Sequence, residues 1–458
     1  MTGRVPAFLI AISFLTWLPA TAWGQEEIAT DDAPEFSDQT VEVLSVLRET
    51  RTRPEWTVVD VRRKLIPNME VALGEMVGFL VEGRLPCPHG SGSPQTISRP
   101  QKDFLLAALR ELPANQVRRA AIQAEGVESG PRAAEAALFL WRACATSGDI
   151  PHMARLAAPD PSSTDGEPAD PKADEGCVSE FEAAVTRLIQ EDSQALAEVS
   201  DLIRACDKTL RPALVRSIGS GGRPEGLRLL LDIANGRGEL GTLAIAQVGR
   251  LGASPDLAVN RDWAEFLSGV LRGEDGPNIR LALIAAGTIE AYSAMDEILA
   301  MAREGSGRSR DAFWALRKMT GLTLPDDADR WETWLEGERE WFKREFPGIL
   351  QDLRTGNQAV ALRAARTISA HRYCRDLIVM ELEAAVDVVD HRTRPAICSA
   401  LGNLGSMRAI PILLELLEFG TPGTSAAAQA ALVRLTGRRD VAADSRLWIE
   451  ELGLDDAR

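Results

Sequence analysis

Aromatic residues and histidine are scarce in this chain. Only 5% of its 458 residues are aromatic, 2 are tyrosine and 4 are histidine. Histidine is the side chain that most often performs general acid–base catalysis, so this chemistry has few candidates beyond carboxylates. Segments in which Val, Ile or Thr alternate with polar residues are also missing, and the sequence therefore predicts no β-sheet.

Short motifs with a known chemical role are absent as well. The sequence contains no C-x-x-C-H, no G-x-x-x-x-G-K-[ST], no H-E-x-x-H, no G-x-S-x-G and no EF-hand loop. The glycine-rich stretch 219–222 lacks the phosphate-binding lysine and falls where a turn between helices is expected. The sequence therefore predicts no catalytic residue, no cofactor and no metal.

The chain also lacks an excess of positive charge. Its formal net charge is −16, which disfavours nucleic acid as a partner, because phosphate binding needs a basic surface that releases counterions. One local basic group comprises Arg308, Arg310, Arg317 and Lys318. We interpret it as a solvated helix face.

Only the first residues form a concentrated apolar run. Arg4 precedes an apolar stretch from Val5 to Leu18, and Ala22-Trp23-Gly24 resembles a cleavage site. This pattern predicts a signal peptide over 1–24, with cleavage after Ala22 as the alternative. No later stretch approaches the roughly 20 apolar residues of a membrane span. The sequence thus predicts an exported protein, periplasmic or secreted, with no membrane anchor after cleavage.

Composition divides the remaining chain into four parts. Residues 25–40 are acidic and polar, which predicts disorder, and 41–157 show helical spacing. Residues 158–176 are rich in Pro, Asp and Ser, which predicts a flexible linker and a domain boundary. The last part, 177–458, carries a clear repeat.

The repeat is sharpest between residues 394 and 436. There Ile410, Leu413, Leu414 and Leu417 stand at i, i+3, i+4 and i+7, which places them on one face of a helix. Earlier segments repeat the pattern, with Arg211 and Arg394 separated by 183 residues, and Gly321 and Gly437 by 116. The signature residues are Arg211, Pro212, Ala213, Gly219, Arg280, Ala282, Ala286, Gly321, Arg394, Pro395, Ala396, Gly402 and Gly437.

Arg-x-Ala openings, a central glycine and second helices of the type Ala409-Ile410-Pro411-Ile412-Leu413-Leu414 resemble HEAT repeats, including the shorter HEAT-like type seen in phycobilisome lyases. The resemblance covers about 205–452. It implies an all-α fold, an α-solenoid of stacked antiparallel helix pairs with a concave binding surface and usually a protein partner. The motif indicates a fold rather than a function, because the matching positions are core positions.

Tryptophans follow both Thr-Gly pairs of the repeat, at Trp331, Trp334 and Trp448. We interpret them as large side chains that seal the end of a helix pair; the alternative is an exposed stacking platform.

Acidic residues lie just before the first of these tryptophans. Asp326, Asp327 and Asp329 are interpreted as a helix cap, with a calcium site as the alternative. The spacing of Asp329 and Glu332 predicts a start resembling a capping box.

Six cysteines in an exported chain favour disulfides. We predict the pairs Cys177–Cys206, Cys374–Cys398 and Cys87–Cys144, one of fifteen possible pairings. A reactive thiol at Cys87-Pro88-His89 is the disfavoured alternative.

A zinc site is a second disfavoured alternative for the cysteines. It would use His371, Cys374, His391 and Cys398, whose spacing is wider than that of structural zinc sites.

Two functions of different classes follow from these observations. The first is a non-enzymatic scaffold that binds an unidentified protein through its concave surface. The second is a cofactor-handling or lyase-like enzyme built on HEAT-like repeats. An enzyme would need His, Asp and Cys side chains converging on one face, and the sequence predicts no such cluster.

Overall fold

The computed structural model describes residues 36–452, except 52, 54–55, 87–92, 128–130, 159–170, 237, 255, 274–275, 306 and 356. The chain divides into two compact units, Met1–Leu105 and Leu106–Arg458. The predicted signal peptide lies outside the described residues. Within the described part, every helix is too short or too polar to span a bilayer.

The first unit contains two helices, a small hairpin and the first part of a third helix. Ser37 caps the first helix, and Thr57 and Asp60 form a capping box at the start of the second. The elements are α1 (Asp38–Glu49), α2 (Val58–Glu82), β1 (Arg84–Leu85), β2 (Gln95–Thr96) and α3 (Arg99–Leu109), within which the boundary between the units falls.

Two features of this unit differ from the sequence predictions. Helix α1 begins at Asp38, inside the segment 25–40 that was predicted to be disordered, because Ser37 caps it and Val43, Leu44 and Leu47 are buried. Strands β1 and β2 pair in antiparallel orientation, with Leu85 buried, although the sequence predicted no sheet. Two residues per strand are too few for an alternating pattern to be visible.

The described part of the second unit is helical throughout. Its helices are α4 (Ala114–Glu125), α5 (Pro131–Cys144), α6 (Ile150–Ala157), α7 (Pro171–Glu191), α8 (Gln194–Ala205), α9 (Arg211–Ser220), α10 (Gly226–Asn235), α11 (Gly238–Leu251), α12 (Leu257–Arg272), α13 (Gly276–Thr288), α14 (Met295–Arg303), α15 (Gly307–Thr320), α16 (Ala328–Arg344), α17 (Phe346–Thr355), α18 (Gln358–Ile368), α19 (Arg375–Val386), α20 (Arg394–Leu404), α21 (Ile410–Phe419), α22 (Pro422–Thr436) and α23 (Ser445–Leu452). Short 3-10 turns cover Ser147–Asp149, Tyr292–Ala294 and Met407–Ala409.

These helices pack as two rows. In the first row α5, α7, α9, α11, α13 and α15 pack successively on one another, and α18, α20 and α22 do the same. The second row contains α6, α8, α10, α12, α14 and α16, followed by α17, α19, α21 and α23, with fewer contacts between neighbours. The fold is therefore all-α, an α-solenoid of stacked antiparallel helix pairs, as predicted.

Glycine at the helix contact allows the close packing of the first row. A Cβ atom added to Gly402 of α20 would lie 2.9 Å from both Cα and Cβ of Ala431 on α22. A Cβ atom on Gly287 of α13 would lie 3.1 Å from Cα of Ala315 on α15. Any side chain at these two positions would push the neighbouring helices apart.

The two Thr-Gly pairs adopt the same geometry. Thr320 and Thr436 each donate a hydroxyl hydrogen bond of 2.8 Å to the carbonyl four residues earlier. Gly321 and Gly437 follow with φ of +69° and +77°, a conformation that favours glycine. This identity confirms that the two segments are copies of one repeat.

The structure differs from the predicted linker over its last residues. Helix α7 begins at Pro171, a position where proline is tolerated because its missing N–H needs no partner in the first helical turn. Residues 159–170 lie outside the described part of the chain. Helix α7 packs on α5 and α6, so helices from both sides of the predicted linker are in contact.

Candidate functional site

The described second unit has a groove of about 830 Å³ along the exposed face of α7, flanked by α5 and α9. We call it the arginine groove. It is lined by four arginines, three glutamates and smaller side chains: Arg110, Arg142, Arg187, Arg216, Glu175, Glu182, Glu191, Val178, Ser179, Ala183, Thr186, Gln190 and Ser220.

Ion pairs connect the three helices of the groove. Arg142 on α5 lies 3.3 Å from Glu180 on α7, a largely buried contact. Arg216 on α9 donates its Nε–H to Glu182 on α7 over 2.8 Å. Arg187 pairs with Glu191 on the same helix and donates a hydrogen bond of 2.7 Å to the Ala145 carbonyl. The arginines thus hold α5, α7 and α9 in register.

Arg110 differs from the other three arginines of the groove, each of which pairs with a glutamate. No hydrogen bond or ion pair joins the Arg110 guanidinium to a described residue. Partial burial and the nearby Arg187 and Arg142 lower its pKa, while Glu191 acts in the opposite direction. The Nε atoms of Arg142 and Arg187 are buried without a hydrogen-bond acceptor in the described structure.

A second polar cluster lies around residues 371–376, and we call it the 371–376 network. Its centre is a bidentate ion pair in which Arg375, at the start of α19, donates Nε–H to Glu290 over 2.8 Å and also binds with its Nη2. The Tyr292 hydroxyl lies 3.2 Å from Glu290 and 3.0 Å from the Met319 carbonyl. Both tyrosines of the chain, Tyr292 and Tyr373, belong to this network and make an edge-to-face contact at 5.7 Å.

Glu338 on α16 holds the other half of the network. It accepts hydrogen bonds from the backbone N–H groups of Arg372 and Tyr373 over 3.0 and 3.1 Å. Its second oxygen lies 2.9 Å from Nδ1 of His371, whose ring stacks on Trp341 at 3.4 Å. The carboxylate thereby fixes the loop between α18 and α19.

Two residues of the network have an unusual backbone. Glu290 and Cys374 have φ of 56° and 53°, values in the left-handed region that favours glycine. Burial raises the pKa of the Glu290 carboxyl and raises the pKa of the Cys374 thiol to about 12. The thiol therefore stays protonated at neutral pH and is a poor nucleophile.

The hydrogen bonds of the network connect several parts of the fold. Arg375 also lies 3.4 Å from the Leu404 carbonyl at the end of α20, and its Nη1 lies beside Gly321 and Gly405. The sequence predicted no cluster of His, Asp and Cys on one face, and it did not indicate this network, because loops distant in the chain meet here. Both carboxylates, Glu290 and Glu338, form hydrogen bonds within the fold.

The cysteines of the described structure are thiols rather than disulfides. Cys144, Cys177 and Cys398 are buried, and Cys206 and Cys374 are half-buried. The predicted pairs Cys177–Cys206 and Cys374–Cys398 are not formed. Cys87, together with its neighbours Pro88 and His89, lies outside the described residues.

Metal ligands do not converge within the described part of the chain. Of the four residues in the zinc alternative, His371 stacks on Trp341, Cys398 is buried in α20, and His391 is exposed beside Asp390.

The tryptophans after the Thr-Gly pairs are structural, as interpreted. Trp331 and Trp448 are buried, and their indole N–H groups donate to the Pro325 carbonyl over 3.0 Å and to Gln429 over 2.7 Å. Trp334 is half-buried and contacts Trp331 edge to face.

The acidic group before Trp331 contains a helix cap, as interpreted. Asp327 caps α16 by accepting from the N–H groups of Asp329 and Arg330. The predicted capping-box-like start of the helix at Asp329 and Glu332 was wrong, because both carboxylates pair with Arg303 instead.

The signature residues of the repeat occupy matching places. Arg211-Pro212 and Arg394-Pro395 open α9 and α20. Among the small residues, Ala396 is half-buried and Gly321 and Gly437 are exposed at helix ends; the buried set is Ala213, Gly219, Ala282, Ala286 and Gly402. Arg280 is exposed and pairs with Asp311 on α15.

No family model matches the sequence, and no curated protein matches it either. Among solved structures, the chain is similar to the karyopherin Kap121p bound to the extreme C-terminus of the protein phosphatase Cdc14p, with 10% identity over 92% of this chain and a TM-score of 0.33. A multiply substituted Kap121p gives 10% identity over 91% of this chain and the same TM-score of 0.33. The chain spans about half the length of these karyopherin chains, since it covers 50% of each. At this TM-score the likeness carries no argument about partner or activity.

Proposed function

We propose that this protein is an exported scaffold that binds a protein partner along the first helix row and has no catalysis of its own. The supporting observation is the chemistry of that row. Its helices are bridged by arginine–carboxylate pairs such as Arg142–Glu180 and Arg280–Asp311, and Trp314 on α15 is exposed at 42%. Arginine and tryptophan are the residues most enriched at the energetic centres of protein interfaces.

Export rests on the predicted signal peptide over 1–24. N-terminal sequencing of the protein recovered from the periplasm or the medium tests it, and we expect a start at Gln25. Recovery of an uncleaved chain from the cytoplasm would contradict export.

The alternative is a lyase-like enzyme with repeats of the phycobilisome-lyase type, and the 371–376 network is where its active site would lie. Two observations favour binding over this alternative. Burial raises the pKa of Cys374 to about 12, and Glu338 and Glu290 are occupied by internal hydrogen bonds. The arginine groove is also more accessible to a partner than the 371–376 network, whose side chains pack against one another.

Capture of partners on immobilised mature chain tests the scaffold proposal. Trp314→Ala should lose the proteins that the unaltered chain retains, because it removes an exposed aromatic from the first row. Phe419→Ala is the matched control, since Phe419 is 75% exposed at the end of α21 in the second row. Equal retention by both variants would contradict the proposed surface, and turnover of a small molecule with no protein retained would contradict the scaffold.

A further inference from the structure

Helix α19, in the second helix row, carries an apolar stripe on its exposed side. Leu377, Met380 and Ala384 stand at i, i+3 and i+7, and Val388 follows at i+11 in the turn after the helix. All four are exposed, and the exposed fractions of the large ones run from 37% for Met380 to 62% for Val388. Single exposed apolar side chains are ordinary, whereas a contiguous set at helical spacing indicates an interaction surface.

The 3-10 turn Met407–Ala409 extends this stripe at the start of α19. The Ser406 hydroxyl donates a hydrogen bond to the Asp376 carboxylate, which brings Met407 close to Leu377 because each is the next residue in the chain. Met407 is 55% exposed. Methionine side chains are flexible and adapt to apolar partners of varied shape. We call Leu377, Met380, Ala384, Val388 and Met407 the α19 surface.

Carboxylates line one edge of the α19 surface. Asp376, Glu383 and Asp387 stand at i, i+7 and i+11, which places them on one side of the apolar stripe. Burial raises the pKa of the Glu383 carboxyl, and the nearby Arg408 acts in the opposite direction, so this edge faces the 3-10 turn before α21. Asp387 is exposed and forms no ion pair with a described residue.

Negative charge also exceeds positive charge on the elements around the stripe. On the other edge, Glu381 pairs with Arg354 of α17 over 2.9 Å. Glu415 of α21 is exposed and forms no ion pair with a described residue. Helix α17 together with residues 371–390 and 406–419 contains eight Asp or Glu against four Arg and no Lys. One of those arginines, Arg375, is already paired with Glu290 outside these segments.

This combination favours a helix with basic residues as the occupant. The stripe from Leu377 to Val388 is about 16 Å long at 1.5 Å per residue, which is three turns of a helix. A second helix can pack along it by fitting its own i, i+3 and i+4 side chains between those of α19. A second copy of this chain is disfavoured, because it would bring two acidic surfaces together.

We propose that the α19 surface binds an amphipathic helix of a protein partner, with the apolar side of that helix on the stripe and its lysines or arginines beside Asp387 and Glu415. This surface belongs to the second helix row and is separate from the first-row surface around Trp314. The protein would therefore hold two partners, or two parts of one partner, on different rows.

A subtractive peptide selection tests this inference. A library of helix-forming peptides about eighteen residues long is selected on the full mature chain, after removal of peptides that bind the double variant Leu377→Gln, Met380→Gln. The enriched peptides should share an apolar stripe at i, i+3, i+4 and i+7 together with Lys or Arg beside it.

Fluorescence anisotropy with an enriched peptide locates the site. The double variant should weaken binding at least about tenfold, because two apolar anchors become polar. Asp387→Asn should weaken it about two- to threefold at low salt and have no effect at 1 M salt, where exposed charges are screened. Ile122→Gln is the matched control, since Ile122 is 55% exposed on α4, away from α19. Unfolding curves of all variants should match the unaltered chain, because each position is exposed.

Three results would overturn the inference. They are enriched peptides without a basic residue, equal binding of an enriched peptide to the double variant, and a dimer in analytical ultracentrifugation that the double variant abolishes. In the last case the stripe would be covered by a second copy of the chain. These results do not bear on the first-row surface, which depends on Trp314-dependent capture.

Discussion

Replacement of Gly402 by alanine tests whether close helix packing sustains the stack. The new Cβ would lie 2.9 Å from Cα and Cβ of Ala431, well inside ordinary contact distance, so α20 and α22 must separate by about half an ångström or more. A gap of that size forfeits roughly a quarter to a half of each dispersion contact across the interface. We expect Gly402→Ala to lower the free energy of unfolding by about 1–3 kcal/mol, even though alanine favours a helix.

A control glycine distinguishes the effect of close helix packing from the effect of the helix propensity of alanine. Gly269 lies inside α12, and a Cβ added there meets nothing within 4 Å. Gly269→Ala should therefore raise the free energy of unfolding by about 0.5–1 kcal/mol through helix propensity alone. Urea unfolding followed by circular dichroism measures both variants. Shifts of the same sign and size would refute the view that Gly402 is needed for close approach.

Three further predictions concern titratable groups. Arg375→Met should lower the free energy of unfolding by about 3–5 kcal/mol because it leaves Glu290 buried without its partner, whereas the double variant with Glu290→Leu should recover most of the loss in the same urea assay. Because burial raises the pKa of Cys374 from 9.0 to about 12, iodoacetamide at pH 8 should alkylate it about a thousandfold more slowly in the folded chain than in guanidinium, as mass spectrometry can follow. Hydrogen bonds from the Thr57 hydroxyl and from its backbone N–H lower the pKa of Asp60 below 3.8, so the stabilising effect of Asp60 is present above that pH and is lost as the pH falls through the lowered value. Thr57→Ala removes the hydroxyl and keeps the backbone N–H, so it should raise the pKa of Asp60 part of the way back, as an NMR titration can measure.

The repeat was predictable because its information is local. Ile410, Leu413, Leu414 and Leu417 are close in sequence, and all are buried on one face of α21 as their spacing predicted. Gly437 ends α22 because its left-handed conformation is open to glycine, a preference that is also local. Patterns of this kind need no knowledge of the distant chain.

The 371–376 network was not predictable because its partners are distant. Glu290 and Arg375 are separated by 85 residues, and neither lies in a motif. The disulfide predictions failed for a related reason, since an inferred compartment favours oxidation but does not bring Cys374 and Cys398 together. In the arginine groove, Arg142 and Arg216 lie on α5 and α9, and only the stacking of these helices on α7 brings them to one face.

The ion pair between Glu290 and Arg375 has a mechanical consequence for this array. In an ideal solenoid each repeat touches only its neighbours, so the last helices can fray one after another. Here the Glu290–Arg375 ion pair joins residues that are 85 positions apart. If Arg375 separates, the Glu290 carboxylate remains buried without its partner. Stepwise unfolding from the carboxyl-terminal end is therefore expected to stop at α19. The helices between the two paired residues, α14 to α18, should unfold together as one cooperative unit.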